Sequence, residues 1–236
     1  MRKELAKIHC QNCASRFHSV FCDLGQEDVN RLNNAKLCAT YKKGQDIFLE
    51  GFASIGLYCM NKGKVKVHRT GDHGKQPIVR LAKAGDILGY RALITGEPYS
   101  GTATALEDSD ICFIPREMFF SLIQTDTQLS MQVMKLLSHD LGHAESTINN
   151  LVQKSVRERM AEAILYLKET YGLEKDEKTL NVQISREDFA NLVGTATETA
   201  IRLLSEFRTD GLIAFDGKKI VLLDTRKLTK TANIDD

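Results

Sequence analysis

The sequence predicts an α+β architecture: a roll of short strands first, a long helix next, and short helices with a terminal β-hairpin last. Three observations carry this expectation. Alternation punctuated by glycine runs to Pro115, a stretch nearly free of glycine and proline follows, and beyond Lys154 the pattern changes to short capped helices. Period-2 alternation marks half-buried strands, whereas apolar recurrence at steps of three and four marks one face of a helix.

From Lys36 to Pro115 the segments KKGQDIFLEG, LYCMNKGKVKVHRTGDHGK, IVRLAKAGDILGY and SGTATALEDSDICFIP alternate apolar with polar residues. Short strands broken by turn residues roughly every 8–12 positions describe an all-β roll or barrel. Gly44, Gly51, Gly63, Gly71, Gly85 and Gly89 are expected at its tight turns. From Arg116 to Leu151 a single long helix is expected. Met134, Leu137, Leu141, Ala144, Ile148 and Leu151 recur at alternating steps of three and four, the spacing of a coiled-coil seam, and Leu129, Val133 and Leu136 form a second stripe. Such a helix packs on its own domain with one face and on a partner helix with the other; the alternative is one wide core-facing stripe in a monomer.

After Lys154, SVRERMAEAILYLKETYG is amphipathic and stops at Gly172. ISREDFANLVGTATETAIRLLSEFRTDGLI reads as two helices joined at Val193-Gly194-Thr195, with Ser185/Asp188 and Thr195/Glu198 spaced as capping boxes. Two short helices about a glycine-containing turn make a helix-turn-helix. The following IAFDGKKIVLLD is strand, Asp-Gly turn and strand, a hairpin wing. The expected organisation is a cysteine segment at 1–24, a β-roll effector or sensor domain at 25–124, a dimerisation helix at 125–153 and a winged helix-turn-helix at 154–236.

Composition bounds the function. With 42% hydrophobic and 27% charged residues the chain is of the globular class. A net charge of +1 means that nucleic-acid binding must come from local basic patches. No apolar run is long enough for a membrane span, and MRKELAKIHC lacks the apolar core of a signal peptide, so a cytoplasmic location with no membrane partner is expected. In a reducing compartment the 6 cysteines suit metal binding, redox chemistry or burial better than structural disulfides. Cys10, Cys13 and Cys22 fall in IHCQNCASRFHSVFC beside His9 and His18. On the residues alone, metal ligation, reactive thiols and packing all remain open. Cys38 and Cys59, in strand patterns without spaced partners, read as packing residues. No paired-carboxylate, nucleophile–base or phosphate-loop spacing points to an enzyme.

KKGQDIFLEG, LYCMNKGKVKV, AGDILGY, RERMAEAILYL and ISREDFANLVGTATETAIRLLSEFRTDGLI, in this order, resemble the Crp/Fnr superfamily of bacterial transcription regulators over nearly the whole chain. The resemblance implies a cyclic-nucleotide-binding-like β-roll, a dimerisation helix and a winged helix-turn-helix. It also implies a homodimer on double-stranded DNA with a pseudo-palindromic operator, and RNA polymerase as a further partner. The second helix, from about Ala196 to Phe207, would lie in the major groove. Glu198 and Arg202, four residues apart, share a face with Thr197, Thr199 and Ile201 around them. Arg suits guanine O6 and N7, and Glu suits cytosine N4. Ile201 departs from the Ser or Gly of many relatives and suits a thymine methyl. Ser185, Arg186, Lys218 and Lys219 are candidate phosphate contacts.

Relatives that bind cyclic nucleotides use a Gly-Glu pair and an Arg-Ser or Arg-Thr pair, where this chain has Gly89-Tyr90 and Tyr99-Ser100, and Arg91 is displaced from the phosphate-binding position. A phosphate buried without its cation is costly, so no cyclic nucleotide is expected. IHCQNC and SDICFIP resemble the segments that hold a [4Fe–4S] cluster in the oxygen-sensing, FNR-like members, which implies Cys10, Cys13, Cys22 and Cys112 as ligands. Eight residues separate Cys13 from Cys22, against the usual five in those regulators. The other readings are a zinc or thiol site with His9 or His18, haem held by His9, His18, His68, His73, His139 or His143, an unknown small-molecule signal, or no metal. A reading of another class is a β-roll interaction module or a metal-carrying enzyme.

Overall fold

The computed structural model describes residues 8–71 and 75–234. The chain divides into two compact units, Met1–Arg69 with Arg80–Gly142 and Thr70–Val79 with His143–Asp236. His73 lies outside the described residues.

In the first unit two 3₁₀ turns, Cys10–Asn12 and Ala14–His18, precede α1 (Gln26–Ala35). The strands are β1 (Leu37–Tyr41), β2 (Asp46–Phe48), β3 (Gly56–Lys62), β4 (Val65–His68), β5 (Ile78–Ala82), β6 (Ile87–Leu88), β7 (Thr102–Ala105) and β8 (Ser109–Pro115), with α2 (Tyr90–Thr95) between β6 and β7. They form two 4-stranded sheets, β1-β8-β3-β6 and β2-β7-β4-β5. Alternation along β3 explains how one sheet serves two cores. Met60 and Tyr58 point into the roll with Ile47, Val65, Ala103 and Ile111, while Leu57 and Cys59 face the N-terminal segment and the helices, with Cys10, Phe21, Leu32 and Ile87. Gly44, Gly51, Gly63, Gly85 and Gly89 take positive φ, whereas Gly71 does not; its N–H instead bonds the Lys75 carbonyl at 2.9 Å.

The helix expected from Arg116 onward is two helices, α3 (Arg116–Thr125) and α4 (Thr127–Gln153). Asp126 breaks it: its backbone is extended, and its carboxylate accepts the Leu129 N–H at 2.9 Å, which caps α4. On α4, Leu129 and Val133 are buried, and Leu136 and Leu137 pack against the same core. Met134, Leu141, Ile148 and Leu151 are 51%, 62%, 63% and 49% exposed, and Ala144 is exposed with them. The wide stripe therefore divides into a covered part and an open part.

The second unit contains α5 (Val156–Tyr171), α6 (Arg186–Val193), α7 (Thr197–Thr209), β9 (Ile213–Asp216), β10 (Lys219–Leu222) and α8 (Thr225–Thr231). Ser155 and Glu158 form a reciprocal capping box at the start of α5. Phe189, Leu204 and Phe207 bury the inner faces of α6 and α7, at about 1.5–3 kcal/mol for each large side chain. The wing is more than the expected hairpin. Thr179 bridges Val221, and the Leu180 N–H donates to the Ile220 carbonyl at 2.9 Å, which adds a third extended segment. Asp224 caps α8, an element too short and polar to be read from periodicity.

Candidate functional site

Two clusters of side chains stand out, one on each unit. In the second unit, Ser185 caps α6: its hydroxyl accepts the Asp188 N–H at 2.9 Å and donates to the Asp188 carboxylate at 2.8 Å. Gly194 ends α6 in the left-handed region at φ 74°, as a helix C-terminus with a tight turn requires. The capping box expected of Thr195 and Glu198 does not form. Ala196 is the N-cap of α7 without a side-chain bond, and the Thr195 N–H closes the turn onto the Ala190 carbonyl at 3.0 Å. Glu198 is consequently exposed, with no hydrogen-bond or ion-pair partner among the described residues.

Arg202 pairs with Glu206, one turn further along α7, and not with Glu198. Glu206 is also held by Arg157 of α5 at 3.0 Å, and Arg157 reaches Asp210 at 2.6 Å while lying over the Phe207 ring. The guanidinium of Arg202 stays 64% exposed, presented on a carboxylate that α5 anchors. Ile201 is 49% exposed beside it, while Thr197 and Thr199 are half-buried. Arg157 was not singled out from the sequence, because its partners are 49 and 53 residues away.

Arg186 stacks on Phe215 of β9 at 4.3 Å, and its burial lowers its pKa. Lys218 is exposed beside Gly217 at the hairpin turn. Lys219 is not the open cation expected of a phosphate contact: its ammonium is paired with Glu174, and that hydrogen bond raises its pKa. The alternation of β10 turns Lys219 toward the segment that carries Glu174.

The second cluster lies on the outer face of the β1-β8-β3 sheet. Arg16 folds the N-terminal segment around itself, donating to the Cys10 carbonyl at 2.9 Å and to the Phe21 and Cys22 carbonyls at 3.0 Å each. The Cys10 N–H bonds Asn33 at 3.0 Å, Cys13 Sγ bonds Asn61 at 3.2 Å, and Lys36 Nζ donates to Cys10 Sγ at 3.1 Å. These bonds close a cavity lined by Cys10, Cys13, Cys59 and Cys112 together with Lys36 and Asn61. Loss of water at Cys59 pushes its thiol pKa upward, and the neighbouring thiols Cys10 and Cys13 add to this.

Two expectations change here. Cys22 does not line the cavity; it sits beside Asp23, and burial with that carboxylate raises its pKa. The three extra residues before it place Phe21 inward, 2% exposed, in the position from which a side chain would reach the cavity. Cys38 is not a packing residue: it forms a disulfide with Cys112, its register partner across β1 and β8. Cys112 is therefore no free thiolate in this structure. Among the described residues no three His, Cys, Asp or Glu side chains are placed to hold a metal ion. Of the histidines, His68 bonds Thr104 at 3.0 Å inside the roll, and His143 packs against Tyr166.

Comparison with known proteins decides the family. Residues 39–126 match the cyclic nucleotide-binding domain, and residues 158–231 match the Crp-like helix-turn-helix domain. The fumarate and nitrate reduction regulatory protein of Vibrio cholerae is 29% identical, over 96% of this chain and 91% of that protein. Electron transport regulator A of Shewanella oneidensis is 29% identical, over 95% and 90%. Among solved structures, a CRP/FNR-family transcriptional regulator of Thermus thermophilus is similar at 26% identity and a TM-score of 0.71, over 84% of this chain and 98% of that one. FixK2 of Bradyrhizobium japonicum shares the fold at 23% identity and a TM-score of 0.75, over 83% of this chain and 96% of that one.

The chain belongs to the Crp/Fnr family.

As a Crp/Fnr protein it is a DNA-binding transcription regulator and not an enzyme. In the Gly89-Tyr90 and Tyr99-Ser100 pairs both tyrosines are buried. Tyr99 stacks on Phe48 with ring centroids 4.1 Å apart. Tyr90 donates to Asp140 of α4 and accepts from Arg80 at 2.6 Å. Arg80 is thus already neutralised by Asp140, and Arg91 is exposed. No helix among the described residues is long and apolar enough to cross a membrane.

Proposed function

We propose that this regulator binds a pseudo-palindromic operator as a homodimer in the cytoplasm and responds to oxygen or redox state through cysteines packed on its β-roll, with a [4Fe–4S] cluster as the sensing group. The observation that carries the reading is the cavity lined by Cys10 and Cys13 from one short turn and by Cys112 from β8, whose sulfur is bonded to Cys38 in this structure. Thiolates are the donors that such a cluster requires, and when bound it supplies sensitivity to oxygen. The names of the relatives, which concern fumarate and nitrate reduction and electron transport, agree with a signal of this kind.

The open stripe on α4, from Met134 to Leu151, supports the homodimer, because a seam of this spacing buries its apolar side chains against a second copy. Glu198 and Arg202 are the base-reading pair, Thr197, Thr199 and Ile201 flank them, and Ser185, Arg186 and Lys218 contact phosphate. Two half-sites gripped together require a correctly arranged dimer, so a signal that changes the arrangement changes DNA affinity. As an activator it would contact RNA polymerase as a further partner.

The test is anaerobic purification with iron and sulfide analysis, coupled to electrophoretic mobility on palindromic DNA over a range of salt. Bound iron and sulfide with specific, steeply salt-dependent binding that air abolishes is the expected result. Absence of iron, sulfide and visible absorbance after reconstitution refutes the cluster. Absence of specific DNA binding in both oxidised and reduced protein refutes the operator reading.

A further inference from the structure

Arg202 has a carboxylate one turn before it on α7, Glu198, and another one turn after it, Glu206, and it pairs with the second. Helix physics alone favours the first. An acid four residues N-terminal to a base is the better of the two orientations, because the acid then lies toward the positive end of the helix dipole and the base toward the negative end. Something outside α7 therefore decides the pairing, and the structure identifies it as Arg157 of α5.

Arg157 Nη1 donates to Glu206 Oε2 at 3.0 Å, while Arg202 takes Oε1 of the same carboxylate. Arg157 is itself fixed at two further points: its Nη2 donates to Asp210 at 2.6 Å, and its guanidinium lies 4.7 Å from the centroid of the fully buried Phe207 ring. The helix that carries it is fastened to the end of α6, since Arg159 donates to the Val193 carbonyl at 3.2 Å and to the Lys154 carbonyl at 2.8 Å. An isolated exposed pair of Arg and Glu is weak, because ordering two long side chains costs what the attraction gains. A carboxylate shared between two guanidinium groups and anchored to a second helix is held in one place. Arg202 is bonded through Nη1, so its Nη2 and Nε edge has no partner among the described residues; that edge can offer the two parallel donors that guanine O6 and N7 accept.

We propose that Arg157 and Glu206 are positioning residues for operator recognition: Arg157 pins Glu206, and Glu206 keeps Arg202 off Glu198 and turned toward its base pair. The inference rests on the base-reading assignment of Glu198 and Arg202 above and adds what sets their specificity. Without Glu206, Arg202 falls back on the pairing with Glu198 that the helix favours, and each base contact then has to break that pair first. With Glu206 in place the two readers meet DNA as separate groups, and the guanidinium arrives already ordered. The effect falls on discrimination between sequences, since phosphate contacts made elsewhere are untouched.

The experiment uses the full chain and a pool of duplexes with a randomised central stretch. Sequencing of the bound fraction gives the base preference at every position for wild type, Arg202→Ala, Glu198→Ala, Glu206→Gln, Glu206→Ala, Arg157→Ala and the double variant Arg157→Ala with Glu206→Ala. Arg202→Ala is expected to flatten one G·C position in each half-site. Both Glu206 variants and Arg157→Ala are expected to lower the preference at that same position by about three- to tenfold, part of what one bidentate contact discriminates. The slope of affinity against salt on random duplex should not change. The double variant is expected to match Glu206→Ala alone, because Arg157 acts through Glu206. Circular dichroism shows whether each variant is folded, and Glu206→Gln, which keeps the side-chain shape and the Arg157–Asp210 pair, reads positioning even where Arg157→Ala unfolds. If Arg202→Ala flattens a position that the Glu206 variants keep, if those variants weaken every sequence equally, or if the double variant shows the sum of the single effects, the positioning proposal is wrong and base reading stands. If Arg202→Ala and Glu198→Ala change no base preference, or wild type enriches no sequence, base reading fails and the positioning role with it.

Discussion

Tyr90, at the start of α2, donates its hydroxyl to the carboxylate of Asp140 on α4, and Arg80 of β5 reaches both groups. Tyr90 is 3% exposed, and its burial, reinforced by the Asp140 carboxylate, holds its pKa well above the usual phenol range. The contact ties the roll to the helix that carries the open apolar seam. Removing only the hydroxyl in Tyr90→Phe leaves the Asp140 carboxylate with one partner fewer, at a cost of about 1–2 kcal/mol. Urea denaturation of the two proteins measures it; an unchanged midpoint shows that the bond contributes nothing.

Glu198 and Arg202 on α7 are proposed to read bases, so their loss should change discrimination between sequences. Arg202→Ala is expected to weaken operator binding by about 1–3 kcal/mol and to relax discrimination at one G·C position. Glu198→Ala is expected to relax discrimination at a different position. Mobility shifts on operators with single base-pair changes check both, and uniform weakening across all sequences would demote either residue to a general contact.

On the wing the two lysines differ. Lys218→Ala is expected to weaken binding equally on all sequences and to reduce the salt slope by about 1. Lys219→Ala is expected to leave that slope unchanged, because its ammonium is already paired with Glu174. The comparison is a pair of log–log plots of affinity against salt.

Leu141 and Ile148 project from α4 at 62% and 63% exposure, so a charge there disturbs no core within one chain. Leu141→Glu or Ile148→Glu is expected to leave the circular dichroism intact and to convert the proposed homodimer into monomer by sedimentation. Operator affinity should fall in parallel, since each half-site is then bound alone. A dimer that survives both charges locates the interface elsewhere.

Asp176 accepts hydrogen bonds from the Thr179 hydroxyl and from the backbone N–H groups of Thr179 and Lys178, which hold its pKa down at about 2. A carboxylate depressed in the folded state adds stability that is present above its unfolded value of about 3.9 and is lost as pH falls through the folded one. Wild type is therefore expected to exceed Asp176→Asn in stability above about pH 4, with the gap closing toward about pH 2. Denaturation of both proteins across this range checks it, and a gap independent of pH refutes it.

Much of this chain was legible before folding. Glycine-broken alternation, the three-and-four recurrence on α4 and the Ser185 cap are local signals, each written within a few residues, because strand pleat, helix pitch and capping are themselves local. The same locality explains Cys10 and Cys13, whose spacing is a single turn. Tertiary structure decided what depends on distant partners. The sheet register brings Cys38, Cys59 and Cys112 into one row from positions far apart in the chain, and no spacing rule could pair them. The longer loop after Cys13 buries Phe21 and leaves Cys22 out of the cavity lining. Glu206 takes Arg202 because Arg157 of α5 holds it in place. Sequence determined the elements and the chemical types available; packing and strand register determined which of those side chains meet.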